Sequence, residues 1–218
     1  MFLKYKILHF YVGFFLFCVI IETIINQKEL FMKPTMLVFM GGQGSGKGTF
    51  AHLMLQQHDY NYIETGDILR KMPSDCEICK KIQHGELVSD ADLLPIIAEH
   101  ITTNQDIIMD GFPRTLVQAR WLIEHYAEKF DIKVIFLNIS EQTMFAHIQK
   151  RIKEGGNRKD DTDEAAVQKR IAAFKTITMP AIEWLRNVPN ITFYDIKLPS
   201  DDIDTNFEFI MKTIKQKL

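Results

Sequence analysis

Cysteine is scarce in this chain: Cys18, Cys76 and Cys79 are all it has among 218 residues. So few, and an odd number, exclude a disulfide-framed secreted scaffold. Cys76-Glu77-Ile78-Cys79 has the spacing of half a zinc site. No further Cys or His pair nearby completes the four ligands that a structural zinc requires, so zinc is not expected. Charge of one sign is lacking too. A net charge of −2 gives no general attraction to nucleic acid or anionic lipid, so any phosphate must be held by local Arg and Lys. No Asn-Lys-x-Asp guanine motif occurs, which excludes a GTPase-type switch. What remains is an ordinary globular composition, 46% hydrophobic and 25% charged. Its length buries a sizeable core as one domain with small appendages.

Glycine is unevenly distributed. Met36 to Met40 is apolar throughout and reads as a strand buried on both faces. It runs into Gly41-Gly42-Gln43-Gly44-Ser45-Gly46-Lys47-Gly48-Thr49. Glycine has no Cβ, so such a loop can turn tightly and bring its backbone N–H groups against a phosphate. A helix over Thr49–Gln57 would aim its positive end at the same anion. Lys47 adds a mobile charge for the β- and γ-phosphates, and the Thr49 hydroxyl can bind Mg²⁺. The general phosphate-loop pattern has Ser or Thr directly after the lysine, whereas Gly48 intervenes here. Gly44, Ser45, Gly46, Lys47, Gly48 and Thr49 are the candidate residues for a nucleoside triphosphate.

Residues 7–25 are nearly all apolar and follow Lys4 and Lys6. Three readings stand side by side. A membrane-spanning helix needs about 20 apolar residues and must tolerate His9 and Glu22. A cleaved signal peptide needs small residues at its cleavage site, and none is evident after Cys18. The third sets residues 1–31 outside the working domain as an apolar extension, because Met32 could itself begin a complete domain. The third is preferred and the anchor kept beside it; either leaves the remainder facing the cytosol. Lysines flank the run on both sides (Lys28 and Lys33 after it), so they do not fix an orientation.

Tyr62 to Glu64 reads as a second strand, followed by a helix with Thr65 as N-cap and Asp67 in its first turn. Arg70 on that helix is either a site residue or a surface arginine. Pro73 breaks the helix, Asp75 to His84 forms another, and Asp90 can cap a third carrying Leu93, Leu94, Ile97 and Ile101. Short helices between two strands predict an arm projecting from the sheet. Asp106 to Asp110 is the next strand, and its final acid lies at the carboxyl edge where open α/β sheets hold ligands. Asp110 there can hold Mg²⁺, directly or through water. Gly111-Phe112-Pro113-Arg114-Thr115 then delivers Arg114 beside the phosphate loop, or paired with Asp110, and Gln118 follows on a helix.

Lys133 to Ile139 is a fourth strand, and Ser140 or Glu141 starts a helix through Met144, Ile148 and Ile152. After a polar loop, one helix carries Val167, Ile171, Phe174, Thr178, Ala181 and Leu185 on a single face, with Arg170 beside them. Ile191 to Asp195 is a fifth strand. Ser200 or Asp201 caps a last helix with Ile203, Phe207, Ile210, Ile214 and Leu218 inward. This alternation predicts an α/β fold, a parallel sheet covered on both faces.

The stretches GGQGSGKGT, TGDILR, GELVSD, MDGFPRT with Gln118, and NRKDD followed by Arg170 occur in that order. By them the chain, from about Met36 onward, resembles the adenylate kinases within the nucleoside monophosphate kinases. The resemblance implies the P-loop nucleoside triphosphate hydrolase-like fold with a five-stranded parallel sheet. It implies a kinase domain over 32–218, an acceptor arm over 64–93 and a short lid over 153–163, without zinc. Thr65, Gly66, Arg70, Glu86, Leu87, Val88, Gly111, Phe112, Pro113, Arg114, Gln118, Arg158 and Arg170 would hold AMP. Thr65 and Gln118 look like the adenine-reading pair; pyrimidine monophosphate kinases tend to carry Ala and Asn there, so AMP is favoured over UMP or CMP.

The resemblance places ATP with Mg²⁺ at the glycine loop, Thr49, Asp110 and His147, and puts the chemistry on Lys47, Arg114, Arg151, Arg158 and Arg170. Transfer between two phosphates needs charge neutralisation and in-line alignment rather than a general base. A cytoplasmic monomer is expected, with no nucleic acid partner and membrane contact only through residues 7–25. Four positions depart from the family pattern: Gln43 and Ser89 for prolines, Phe50 for glutamine, and His147 for an arginine that contacts ATP. An imidazole carries less charge than a guanidinium at neutral pH, so weaker ATP binding is expected. The alternatives are a UMP/CMP kinase and a weakly active, membrane-tethered nucleotide sensor.

Overall fold

A computed structural model describes residues 33–73, 78, 88–153 and 164–215. The apolar segment 7–25, Cys76, Cys79, Glu86, Leu87, Arg158 and, apart from Ile78, the helix expected over 75–84 lie outside the described residues. Within the described part, five strands alternate with helices. They are β1 (Thr35–Met40), β2 (Asn61–Glu64), β3 (Ile107–Asp110), β4 (Asp131–Leu137) and β5 (Thr192–Ile196). All pair in parallel, in the order β2-β3-β1-β4-β5. The glycine-loop strand is therefore central, with β3 on one side and β4 on the other.

The alternation of side chains along β1 shows how this sheet is stabilised. Met36, Val38 and Met40 face one core, Leu37 and Phe39 the other, and all are buried. A strand buried on both faces reads as an unbroken apolar run, as this one does. The first core is closed by α3 (Asp90–His100), α4 (Leu116–Tyr126) and α7 (Met179–Arg186), through Ile97, Leu122 and Ile182 among others. The second is closed by α1 (Lys47–Leu55) and α8 (Ile203–Lys215), through Phe50, Met54, Phe207 and Ile210. Burying each such side chain contributes roughly 1.5–3 kcal/mol. A third, smaller cluster joins Met144 and Ile148 of α5 (Glu141–Lys153) to Val167 and Ile171 of α6 (Glu164–Ala173).

Several local expectations are corrected. The helix after the glycine loop begins at Lys47, two residues earlier than expected, and ends at Leu55. Thr65 is the first residue of α2 (Thr65–Lys71), and Glu64 holds the N-cap position without a side-chain bond. Ser89, not Asp90, caps α3, accepting the Asp92 N–H at 3.2 Å. Asp202 caps α8, its carboxylate accepting the Thr205 N–H at 2.8 Å, and Ile203 is 51% exposed rather than inward. The single long helix expected from Val167 to Leu185 is two helices joined by a π-helical segment, Phe174–Thr178. That wider turn rotates the stripe: Val167 and Ile171 serve the third cluster while Ala181 and Leu185 serve the first.

Candidate active site

The glycine loop is held between α5 and its own lysine. Gly41, Gly44 and Gly46 have φ of 147°, 79° and 89°, left-handed values that a side chain resists. A Cβ on Gly44 would come 2.8 Å from the Met144 carbonyl oxygen, and one on Gly42 would collide with the Met144 side chain. α5 thus packs so closely that only glycine fits. Below the loop, the Phe50 ring lies where a Gly46 Cβ would meet it at 2.9 Å, so this unusual residue supports the turn from beneath. The Lys47 ammonium donates to the carbonyls of Gly41 at 2.8 Å and Gly42 at 2.9 Å, and lies 3.4 Å from Ser45 Oγ, which is buried.

His147 reaches the loop from α5. Its Nδ1 is 2.8 Å from the Gly44 carbonyl oxygen. A carbonyl only accepts, so Nδ1 carries the hydrogen and Nε2 is the atom left for other contacts. The same imidazole lines a cavity of about 370 Å³ between the start of α5 and the β5–α8 loop, with Asn138, Ser140, Thr143, Lys197 and Asp201 around it.

Asp110 connects the loop to the other half of the site. It ends β3, is 8% exposed, and its Oδ2 would stand 3.3 Å from a Cβ on Gly48. Thr49 is exposed on the first turn of α1, one residue further on. A hydroxyl and a carboxylate at neighbouring points are hard oxygen donors of the kind Mg²⁺ takes, so these residues fit the ion. Among the described residues no group of three or more His, Cys, Asp and Glu could hold a metal by itself.

After Asp110 the chain turns at Gly111, whose φ is 83°. Arg114 folds back over that glycine: its Nε donates to the Gly111 carbonyl at 2.9 Å, and a Cβ there would meet Arg114 Nη2 at 3.1 Å and Thr65 Cβ at 3.8 Å. The peptide bond between Phe112 and Pro113 is cis, and both residues are buried. The alternative pairing of Arg114 with Asp110 is not what the hydrogen bonds describe. Arg114 is open to solvent along the cleft, yet protein surrounds it elsewhere. That desolvation lowers its pKa, and the Arg170 charge lowers it further, while Asp110 and Glu64 oppose the shift. A guanidinium so placed stays cationic. Arg114, in the β3–α4 turn, therefore stands within the field of Arg170 from α6 and of Arg70 from α2. Arg151 lies on the last turn of α5, half-buried.

Thr65 is 3% exposed and its Oγ1 has no hydrogen-bond partner. A buried hydroxyl left so is costly unless something else satisfies it. Gln118 is equally buried, and both ends of its amide are engaged: Oε1 accepts the Arg114 N–H at 2.7 Å and Nε2 donates to Asp90 Oδ1 at 2.7 Å. The other Asp90 oxygen accepts from Thr115 Oγ1 at 3.0 Å. Val88 precedes α3 and packs against the first core.

Two residues of this cluster had escaped the sequence reading. Glu64 is the register partner of Asp110 across β2 and β3, and Tyr62 places its hydroxyl 3.4 Å from Glu64 Oε2 and 3.3 Å from Asp110 Oδ2. Burial, then the charges of Asp110 and Glu64, push the Tyr62 phenol far above its usual pKa, so it remains a donor. The sequence shows only that two strands each end in an acid; the pairing that sets the two acids side by side belongs to the sheet.

Against known families, residues 39–189 match the model described as Adenylate kinase. An adenylate kinase of Bacteroides thetaiotaomicron is 34% identical over 161 residues, 69% of this chain and 84% of the relative. One of Prochlorococcus marinus (strain MIT 9301) is 33% identical over 190 residues, 84% of this chain and 97% of the relative. One of Cyanothece sp. is 30% identical over 190 residues, 82% of this chain and 96% of the relative. A glycine loop, an acid at the end of the neighbouring strand and converging arginines, in a sheet of this topology, agree with these likenesses: the chain belongs to the adenylate kinase family.

Proposed function

We propose that this protein is an ATP:AMP phosphotransferase, moving the terminal phosphoryl of MgATP to AMP and back, with two ADP as product. The observation that carries this reading is the approach of Asp110 to Gly48 on one side and, through Gly111, of Arg114 to Thr65 on the other. It brings the glycine loop and the buried Thr65 hydroxyl to one edge of one sheet, which supports a triphosphate on one side and the acceptor base on the other. The relatives above all bear the name adenylate kinase, which favours AMP over UMP or CMP.

The donor phosphates bind the loop amides of residues 44–49, and Lys47 exchanges its carbonyl partners for the β- and γ-oxygens. The donor nucleoside extends toward the cavity beside His147. Thr49 and, through water, Asp110 would hold the Mg²⁺ that accompanies ATP, which would supply neutralisation of phosphate charge. On the acceptor side Arg70 and Arg114 take the AMP phosphate, and Thr65 with the remaining Gln118 N–H reads the adenine. Gly66, Gly111, Phe112, Pro113 and Val88 shape that pocket. The acceptor phosphate, with a second pKa near ~6, is largely ionised at neutral pH, so no side chain need remove a proton. Arg114, Arg151 and Arg170 offset the repulsion between two polyanions and hold them in line. Arg158, Glu86 and Leu87 join from segments outside the described residues.

The division we infer is an N-terminal extension over 1–31 and a kinase domain over 32–218, with an acceptor arm at 64–93 and a short lid at 153–163. We further infer a cytoplasmic monomer whose membrane contact, if any, runs through residues 7–25. No helix among the described residues is long and apolar enough to cross a membrane. The test is the full chain supplied with MgATP and each nucleoside monophosphate in turn. ADP formed with AMP alone supports the reading, and preference for UMP or CMP overturns it.

A further inference from the structure

Arg70 is held by carboxylates of its own chain. Its Nη2 lies 3.0 Å from Glu64 Oε1 and 2.5 Å from Asp67 Oδ1. The two acids are not equivalent. Asp67 sits one helical turn before Arg70 on α2 with 48% of its side chain exposed, whereas Glu64 ends β2 and is 16% exposed. Glu64 also faces inward across the sheet edge: it is the register partner of Asp110, shares the Tyr62 hydroxyl with it, and its charge is felt at Arg114. The Arg70–Glu64 pair is folded over Gly66, where a Cβ would meet Arg70 Nη1 at 2.9 Å and Glu64 Oε1 at 3.4 Å.

A negative charge fixed between two cations weakens the binding of a second anion to them. We propose that Glu64 sets the enzyme's affinity for its acceptor: its carboxylate competes with the AMP phosphate for Arg70, and AMP binds more weakly than the arginines alone would allow. Tyr62 shares its one hydroxyl hydrogen between Glu64 and Asp110 and so steadies the carboxylate, and Gly66 leaves room for the pair to form. Asp67 makes the shorter contact with Arg70 and competes there too, but it is more exposed, and Glu64, not Asp67, is among the charges acting on Arg114. Glu64 touches no reacting atom; it acts through Arg70. This inference rests on the phosphotransferase reading above.

The experiment compares the full wild-type chain with Glu64→Gln, which keeps shape and hydrogen-bond acceptor but removes the charge. The KM for AMP falls about fivefold, the scale of one half-exposed ion pair, while the KM for ATP stays within about twofold and kcat is not raised in proportion. Glu64→Asp keeps the charge and remains nearer wild type than Glu64→Gln. In an Arg70→Ala background the gain from Glu64→Gln shrinks to the smaller part felt at Arg114, because the competitor has lost the cation it is bonded to. Thermal unfolding of each variant checks the fold, and Glu64→Ser, which removes carboxylate and bulk together, gives the same direction should the Gln variant not fold. A KM for AMP that is unchanged or raised, or a gain that stays undiminished without Arg70, overturns the proposal. Failure of the wild type to form ADP from AMP would instead overturn the functional reading beneath it.

Discussion

The amide oxygen of Gln118 accepts the backbone N–H of Arg114 at 2.7 Å, and the same side chain donates to Asp90 at 2.7 Å. One buried side chain thus fixes the backbone that carries a cleft arginine and ties it to the first turn of α3, a helix of the inferred acceptor arm. Replacing Gln118 with Leu keeps the bulk but orphans a backbone donor and a carboxylate. Stability is expected to fall by about 1–3 kcal/mol, the cost of unsatisfied buried polar groups. The KM for AMP should rise together with a fall in kcat. Thermal melts and steady-state kinetics with AMP as the varied substrate measure both; an unchanged KM would show that the amide holds the turn only and reads no base.

Arg114 itself is predicted to be indispensable for turnover and nearly irrelevant to folding. Its Nε bond to the Gly111 carbonyl is open to solvent and water can replace it, whereas no water replaces the fixed cation that the proposed reaction requires of it. Arg114→Ala is expected to lower kcat by about 10²-fold or more with an unaltered circular dichroism spectrum. Undiminished turnover would remove this arginine from the reacting centre.

How much of this was legible beforehand follows from how local each feature is. β1 and the glycine loop could be read because an apolar run and a cluster of glycines are contiguous in sequence and each residue's reason lies beside it. The caps misled because Ser89, Asp90, Asp201 and Asp202 all have capping chemistry, and tertiary contacts decide among them. Asp90 is drawn away by Thr115 and Gln118, which stand 25 and 28 positions later. The π-helical turn at Phe174–Thr178 leaves no mark in a periodicity of 3.6 residues. Glu64 went unnoticed because its meaning depends on register with Asp110, a pairing between strands that only the folded sheet creates.

Gly111 tests whether the turn geometry is required. Its φ is 83° and a Cβ would lie 3.1 Å from Arg114 Nη2. Gly111→Ala therefore meets both backbone strain, about 1–2 kcal/mol for a left-handed residue, and displacement of the guanidinium. A lower melting temperature and a raised KM for AMP should appear together. Restored AMP affinity in a variant that still melts early would separate the strain from the displacement.

Tyr62 gives a pH dependence of definite sign. Its phenol is raised above the ordinary value of 10.0 in the folded chain, by burial first and by Asp110 and Glu64 next. The folded state therefore keeps the proton where the unfolded chain has begun to lose it. The stability due to this group is complete below pH 10 and declines as pH rises beyond it. Melting temperatures followed from pH 8 upward (roughly one unit per step) should fall more steeply for wild type than for Tyr62→Phe once past that point. Parallel curves would mean that the phenol titrates alike in both states.

His147 stands where the family's pattern has an arginine, and its Nδ1–H is committed to the Gly44 carbonyl at 2.8 Å. The imidazole therefore braces the glycine loop against α5 in addition to lining the adjoining cavity. Removing it by His147→Ala should raise the KM for ATP by about threefold to tenfold, the worth of one hydrogen bond of roughly 0.5–1.5 kcal/mol, and leave the KM for AMP as it was. His147→Asn separates the two duties. Its amide nitrogen can donate to the same carbonyl, but it offers no ring to a nucleoside. If bracing dominates, Asn recovers most of the ATP affinity that Ala loses; if contact with the nucleoside dominates, Asn and Ala behave alike.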